Sequence, residues 1–228
     1  IDYLDNFGIT TLKDSKTGDE TNSDRQFSSL VLGGMSYGVS PLEMAAAYGA
    51  LANGGNYIEP TVFTTITTFD GNLLVKSNPQ ENRVVSESVA YVITDMLQAV
   101  VKEGTGKNAS IGAMPVAGKT GTTNNALDCW FVGYTPYYVG ATYIGDDAGT
   151  SIARRSVVGT SGTAAKLWSN VMAPIHENLT VAKFTKPDGV YFAKINTTDG
   201  GTSSYGVSAA FVEGTSPSRA SSYQFTPP

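Results

Sequence analysis

Three strand-like runs follow one another with little chain between them, over residues 115–122, 128–134 and 137–145. A two-residue turn after Tyr134 joins the last two runs. Parallel strands need a crossover of a dozen or more residues, so runs this close together must pair in antiparallel fashion. Segments with helical periodicity come before and after them. The sequence therefore predicts an α/β fold of the α+β type, in which an antiparallel sheet is flanked by helices.

Three segments have the apolar periodicity of helices. The first begins at Ser40, which forms a capping box with Glu43, and ends at the glycine pair 54–55. The second extends from about 86 to 102, and the third covers 160–176. The second has an apolar stripe, predicted to face the core, formed by Val89, Val92, Ile93, Met96, Leu97, Val100 and Val101.

Composition excludes several classes of function. The net charge is −5 with only 15 basic residues, so no nucleic-acid partner is expected. Charged residues make up 15% of the chain, against about 25% in typical domains, and this polar but weakly charged composition suits an extracytoplasmic surface. No apolar run approaches the roughly 20 residues of a membrane span. The single cysteine, Cys129, cannot form an intrachain disulfide, and its apolar neighbours predict a buried thiol.

The end of the first strand-like run contains Lys119, Thr120, Gly121 and Thr122. An acyl-transfer site needs a cation, room for the substrate and N–H groups aimed at the oxyanion. Lys119 can supply the charge, and Gly121 lets a substrate backbone approach closely. Residues two apart share a strand face, so the hydroxyls of Thr120 and Thr122 could bind one carboxylate. The tripeptide Lys-Thr-Gly alone is equally compatible with a solvated strand end.

Other kinds of functional site, such as a phosphate-binding loop or a metal site, fit the sequence less well than an acyl-transfer site. A phosphate-binding loop would need glycine at position 113, where the chain has Ala113, and would need a helix rather than a strand at the motif. The acidic pair 146–147 has no third ligand nearby, so neither a metal nor another cofactor is expected. His176, the only histidine, is predicted to be structural. The pair Asn124-Asn125 could border a cleft or merely form a turn.

Three blocks of sequence resemble the transpeptidase domain of class A penicillin-binding proteins. They are residues 30–66, the Lys-Thr-Gly block 118–136 and the stretch 211–218. The resemblance covers most of the chain and implies the fold shared by penicillin-binding proteins and serine β-lactamases, incomplete in this chain. It identifies residues 1–216 as the C-terminal portion of the transpeptidase domain, and residues 217–228 are expected to form a disordered tail.

The resemblance also implies an activity and roles for individual residues. Class A proteins combine a peptidoglycan glycosyltransferase with a D,D-transpeptidase, in which a serine forms an acyl-enzyme with stem peptides ending in D-Ala-D-Ala. β-Lactams acylate the same serine. By motif match, Lys119 and Thr122 are the catalytic residues of this chain. Thr120, Gly121 and Thr122 bind substrate, and the N–H of Thr122 is the expected oxyanion donor.

Two further elements of the family, Ser-x-x-Lys and Ser-x-Asn, occur nowhere among the 228 residues. We expect them in an upstream fragment of the same protein, together with a segment that anchors it at the extracytoplasmic face of the bacterial membrane. That fragment, peptidoglycan stem peptides and β-lactams are the expected partners, and the chain alone is expected to be inactive. Two alternatives remain, a non-catalytic sensor of β-lactams or cell-wall peptides and a β-lactamase-type hydrolase.

Overall fold

A computed structural model describes residues 2–12, 24, 30–35, 38–123, 127–145 and 160–220. The helices in this part of the chain are α1 (Asp2–Asn6), α2 (Pro41–Ala52), α3 (Glu87–Lys102) and α4 (Ser161–His176). The strands are β1 (Asn56–Ile58), β2 (Thr65–Thr67), β3 (Leu73–Lys76), β4 (Glu81–Arg83), β5 (Ala117–Thr122), β6 (Asp128–Tyr134), β7 (Val139–Gly145), β8 (Val190–Ile195) and β9 (Val207–Val212). The polar, turn-forming composition of residues 14–29 predicts a surface loop, and this segment lies outside the described residues except for Asp24.

The three strand-like runs form one sheet with the order β5-β6-β7. Both pairs are antiparallel, with Lys119 opposite Val132 and Val132 opposite Ala141. The turn between β6 and β7 closes through a hydrogen bond of 2.9 Å from the Thr135 N–H to the Tyr138 carbonyl. The predicted antiparallel sheet is therefore confirmed, because the connections leave no length for a crossover.

One face of this sheet packs against α4. The Phe131 ring meets Trp168 of α4 edge to face, with ring centroids 5.3 Å apart. The indole N–H of Trp168 donates to the Gly140 carbonyl at 3.0 Å. A Cβ atom on Gly140 would lie 2.8 Å from that nitrogen, so the close approach of α4 to β7 needs a glycine there. This face contains the main hydrophobic core.

The opposite face is covered by α2 and α3, which meet at Tyr134. Its ring packs edge to face on Tyr48 of α2, with centroids 6.4 Å apart. Its hydroxyl lies 2.8 Å from that of Thr94 on α3, and Thr94 donates its own hydrogen to the Ala90 carbonyl. Tyr134 therefore donates to Thr94. Burial raises the pKa of Tyr134 well above its usual value, so the phenol stays neutral.

The apolar stripe predicted on α3 is only partly correct. The buried positions are Ala90, Thr94 and Val101, whereas Val89 is 38% exposed and Met96 is 61% exposed. Val101 belongs to the core on the α4 side of the sheet, while Thr94 reaches Tyr134 on the other side. The helix therefore contacts residues on both faces of the sheet, and a single stripe cannot describe such a helix.

The predicted capping box at the start of α2 is present. The Glu43 N–H donates to the Ser40 hydroxyl, and the Ser40 N–H and hydroxyl both donate to the Glu43 carboxylate. The other carboxylate oxygen accepts from the N–H and hydroxyl of Thr10. Partial burial opposes ionisation, but these four hydrogen bonds outweigh it and lower the pKa of Glu43 from its usual 4.5 to about 2.

His176 is the last residue of α4 and is buried, as expected for a structural histidine. The Thr135 hydroxyl accepts hydrogen bonds from the N–H groups of Tyr137 and Tyr138. It therefore donates its hydrogen to Nε2 of His176, 2.8 Å away. Nδ1 then carries the ring hydrogen and donates to the Met172 carbonyl at 2.8 Å. The imidazole thus fastens the β6–β7 turn to the end of α4.

The smaller strands form three separate antiparallel hairpins or pairs, β1 with β4, β2 with β3 and β8 with β9. The last pair attaches to α3 through the Asp95 carboxylate, which accepts from the Ala210 N–H at 3.2 Å. Beyond it, Thr202 forms an isolated bridge with Ala220. Residues 217–220 are among the described residues, whereas residues 221–228 lie outside them.

Candidate active site

Strand β5, which contains the Lys-Thr-Gly sequence, has an open edge. Within the described residues it pairs only with β6. The Thr123 N–H just after the strand donates to the Asp128 carbonyl at 3.1 Å, so it points toward β6. Backbone groups alternate in direction along a strand, and the N–H of Thr122 therefore points to the open edge. This is the orientation expected of the predicted oxyanion donor.

The Lys119 side chain projects from the face of the sheet on which Gly121 also lies. Its side chain is exposed, and its Nζ donates to the Thr120 carbonyl at 2.9 Å. That carbonyl, by the same alternation, is on the open edge. Among the described residues no carboxylate forms an ion pair with Lys119. The ammonium charge therefore lies beside the open edge without a carboxylate from this part of the chain to neutralise it.

The prediction that Thr120 and Thr122 share one face is confirmed. They stand opposite Phe131 and Cys129, on the side of the sheet that packs against α4. Only 8% of Thr120 is exposed, and its hydroxyl oxygen is 2.6 Å from that of Thr105, in the loop after α3. Nothing in the sequence indicates this contact, because it joins residues 15 positions apart through the tertiary fold.

Thr122 is exposed, at the end of the strand. Its side chain hydrogen-bonds the thiol of its cross-strand neighbour, Cys129, which is fully buried as predicted. Burial raises the pKa of the Cys129 thiol, the Thr122 hydrogen bond partly offsets this, and the nearby Asp128 carboxylate adds to the increase. A neutral buried thiol is a poor nucleophile, so Cys129 acts as a packing residue behind Thr122.

The two glycines of β5 have different surroundings. A Cβ on Gly118 would lie 2.5 Å from the Phe131 ring and 2.8 Å from the Val132 carbonyl oxygen, so internal packing requires glycine there. A Cβ on Gly121 would meet only Trp130, at 3.4 Å, which is close to ordinary contact. Packing among the described residues therefore does not require glycine at 121.

A polar and aromatic cluster closes the end of the β5–β6 pair. The Asp128 carboxylate accepts from the Tyr143 hydroxyl at 2.6 Å and from the Thr123 hydroxyl at 3.2 Å. The Trp130 and Tyr143 rings are in contact, with centroids 4.8 Å apart. Asp128 and Trp130 therefore have turn and packing roles at this end of the sheet. The cluster stabilises the first residues of β6, which pair with Gly121 and Thr122 of β5.

Other sites are absent from the part of the chain that the structure describes. No group of three or more histidine, cysteine, aspartate or glutamate side chains there is arranged to hold a metal ion. None of its helices has the length and apolar character needed to cross a membrane. Asn124-Asn125 and the acidic pair 146–147 lie outside the described residues.

Comparison with known proteins gives consistent results. Residues 1–161 match the family model of the penicillin-binding protein transpeptidase domain. The chain is 35% identical to penicillin-binding protein 1A of Clostridium botulinum (strain Langeland) over 201 residues, which are 88% of this chain and 23% of that protein. It is also 35% identical to penicillin-binding protein 1A of Clostridium acetobutylicum over 220 residues, 96% of this chain and 24% of that protein.

The fold is similar to the crystal structure of penicillin-binding protein 1A from Haemophilus influenzae. The TM-score is 0.78 with 24% identity, covering 96% of this chain and 37% of that one. The chain thus spans about a quarter of the length of the curated relatives described above. The resemblance to class A proteins seen in the sequence is confirmed: the chain belongs to the penicillin-binding protein transpeptidase family.

Proposed function

We propose that this chain is the C-terminal part of a D,D-transpeptidase that crosslinks peptidoglycan stem peptides through a serine acyl-enzyme. The observation that supports this most strongly is the geometry of β5. Within the described residues, four consecutive positions combine an ammonium without an ion-paired carboxylate, an outward N–H and a strand edge without a partner strand. An extended peptide can add to such an edge as a further strand.

In this mechanism the substrate lies along the open edge of β5. The hydroxyls of Thr120 and Thr122 bind the terminal carboxylate of D-Ala-D-Ala, and Lys119 supplies the opposite charge. The serine oxygen attacks the carbonyl carbon of the penultimate D-Ala, and the developing oxyanion accepts a hydrogen bond from the Thr122 N–H. The C–N bond then breaks, and D-alanine leaves with a proton on its amine. An amine of a second stem peptide displaces the serine and completes the crosslink.

The serine, its lysine and the Ser-x-Asn element would come from an upstream segment of the same protein. Lys119 faces away from α4 and lies beside the open edge of β5, next to which such a segment could pack. A class A protein would also contain a glycosyltransferase and an anchor at the extracytoplasmic face of the bacterial membrane. On this proposal the chain alone has no activity, and its partners are the upstream segment, stem peptides and β-lactams.

The test uses the full-length protein and measures the second-order rate of acylation by a β-lactam. Thr120→Val and Thr122→Val each remove a hydroxyl while keeping the backbone N–H. A hydrogen bond to a charged group contributes about 1.5–3 kcal/mol, so each variant should acylate roughly 10–150-fold more slowly. Because both hydroxyls bind one carboxylate, the two effects should not be additive.

Two controls make this test specific. Thr198→Val, at an exposed threonine in the turn after β8, should acylate at the parent rate. An analogue of the β-lactam without its carboxylate should react equally with the parent protein and both site variants. If either variant loses as much rate with the analogue as with the parent compound, that residue does not bind the carboxylate. Absence of acylation in the unaltered full-length protein would contradict the proposed function itself.

A further inference from the structure

The loop between α3 and β5 contacts the Lys-Thr-Gly strand through one side chain. The hydroxyl oxygens of Thr105 and Thr120 are 2.6 Å apart, a short distance for two neutral hydroxyls. Thr105 itself lies at the surface, whereas Thr120 is almost completely buried. The Thr120 hydroxyl therefore has a protein partner, although the proposed mechanism uses the same hydroxyl to bind a carboxylate.

The backbone on both sides of Thr105 is held against the end of α3. The N–H groups of Gly104 and Gly106 both donate to the Val100 carbonyl at 3.0 Å. A Cβ on Gly104 would lie 2.9 Å from that oxygen, and one on Gly106 would lie 3.3 Å from the side chains of Val100 and Val101. The two glycines let the loop pack this tightly, and so they fix the position from which Thr105 reaches Thr120.

The number of hydrogens on the two hydroxyls determines what this contact can do. A hydroxyl donates once and can accept more than once. If Thr120 donated to Thr105, it would have no hydrogen left for a carboxylate. If Thr105 donates to Thr120, the Thr120 hydrogen is free for the anion, and the accepted bond makes Thr120 a stronger donor.

We propose that Thr105 is a positioning residue for the acylation reaction: it donates to Thr120 and so directs the Thr120 hydroxyl hydrogen toward the substrate carboxylate. The inference rests on the proposed function, because it assumes that Thr120 binds that carboxylate. A purely structural role would only fasten the loop to β5. It would affect stability, or all substrates alike, without regard to the carboxylate.

The experiment measures, in the full-length protein, the acylation rate with a β-lactam and with its analogue lacking the carboxylate. The ratio of the two rates is the carboxylate preference. Thr105→Val, which is nearly isosteric, should lower this preference by about 3- to 10-fold, the effect of one neutral hydrogen bond. Thr105→Ser restores the hydroxyl and should stay within about twofold of the parent. Thr198→Val should leave the preference unchanged.

A cycle with Thr120→Val separates the possible failures. If Thr105 acts through Thr120, Thr105→Val should have little further effect on the preference in the Thr120→Val background. Should Thr120→Val leave the preference unchanged, the carboxylate assignment of the proposed function is wrong. If Thr120→Val lowers it and Thr105→Val does not, or if Thr105→Val slows both compounds alike, only the role of Thr105 is wrong. Failure of both Thr105→Val and Thr105→Ala to fold would likewise assign it a structural role.

Discussion

The two halves of β5, residues 117–118 and residues 119–122, differ in whether internal packing explains the residue type at each position. In the first half, Ala117 has no exposed surface, and a side chain on Gly118 would overlap the Phe131 ring. In the second half, Lys119 and Thr122 are exposed, and Gly121 has room for a methyl group at nearly ordinary contact distance. Packing therefore accounts for Ala117 and Gly118 but not for Lys119, Gly121 and Thr122. Thr120 is the exception in the second half, since it is buried and its hydroxyl contacts Thr105. This contrast supports the proposal that the second half is adapted to a ligand.

The largest effect should come from removing the Lys119 charge in the second half of β5. Lys119→Ala should slow β-lactam acylation of the full-length protein by about 100-fold or more, because it removes a preorganised positive charge beside the reacting groups. The melting temperature should hardly change, because exposed lysines contribute little to folding. The measurements are the second-order acylation rate and thermal unfolding.

The matched control for Lys119 is Lys76→Ala, which removes another exposed strand lysine, at the end of β3. It should alter neither the acylation rate nor the melting temperature. If the two variants acylate equally fast, Lys119 is an ordinary surface residue, and the contrast between the halves of β5 does not reflect ligand binding.

Smaller effects are expected from substituting the two glycines, one mainly on stability and the other mainly on the acylation rate. Gly118→Ala should destabilise the protein by about 2–3 kcal/mol, because the methyl group overpacks the core against Phe131. Gly121→Ala should cost less than about 1 kcal/mol of stability but should slow acylation, since the methyl group intrudes on the substrate path. Denaturant unfolding and acylation rates measure the two effects separately. Equal losses of stability would remove the distinction between the halves.

Local features of this fold were predictable because they depend on neighbouring residues. The Ser40–Glu43 capping box, the antiparallel order of 115–145 and the shared face of Thr120 and Thr122 all follow from spacing along the chain. The residues of the Lys-Thr-Gly motif could be named from the sequence because they are consecutive, and their role in a site stays a prediction.

Contacts between distant segments were not predictable. Strands β1 and β4 are three residues each and pair across an intervening hairpin, without the alternation that identifies a strand. The stripe on α3 was misassigned because that helix contacts both faces of the sheet. The bond between Thr105 and Thr120 depends on the tight loop at the end of α3, where nothing in the sequence pairs the two hydroxyls.

The most direct test of the role of β5 is a crystal structure of the full-length protein acylated by a β-lactam. On the proposed mechanism the antibiotic lies along the open edge of β5, with its carbonyl oxygen about 2.7–3.1 Å from the Thr122 nitrogen. Its carboxylate should lie within hydrogen-bond distance of the Thr120 and Thr122 hydroxyls. An acyl group bound elsewhere, with the β5 edge covered by another segment of the protein, would contradict it.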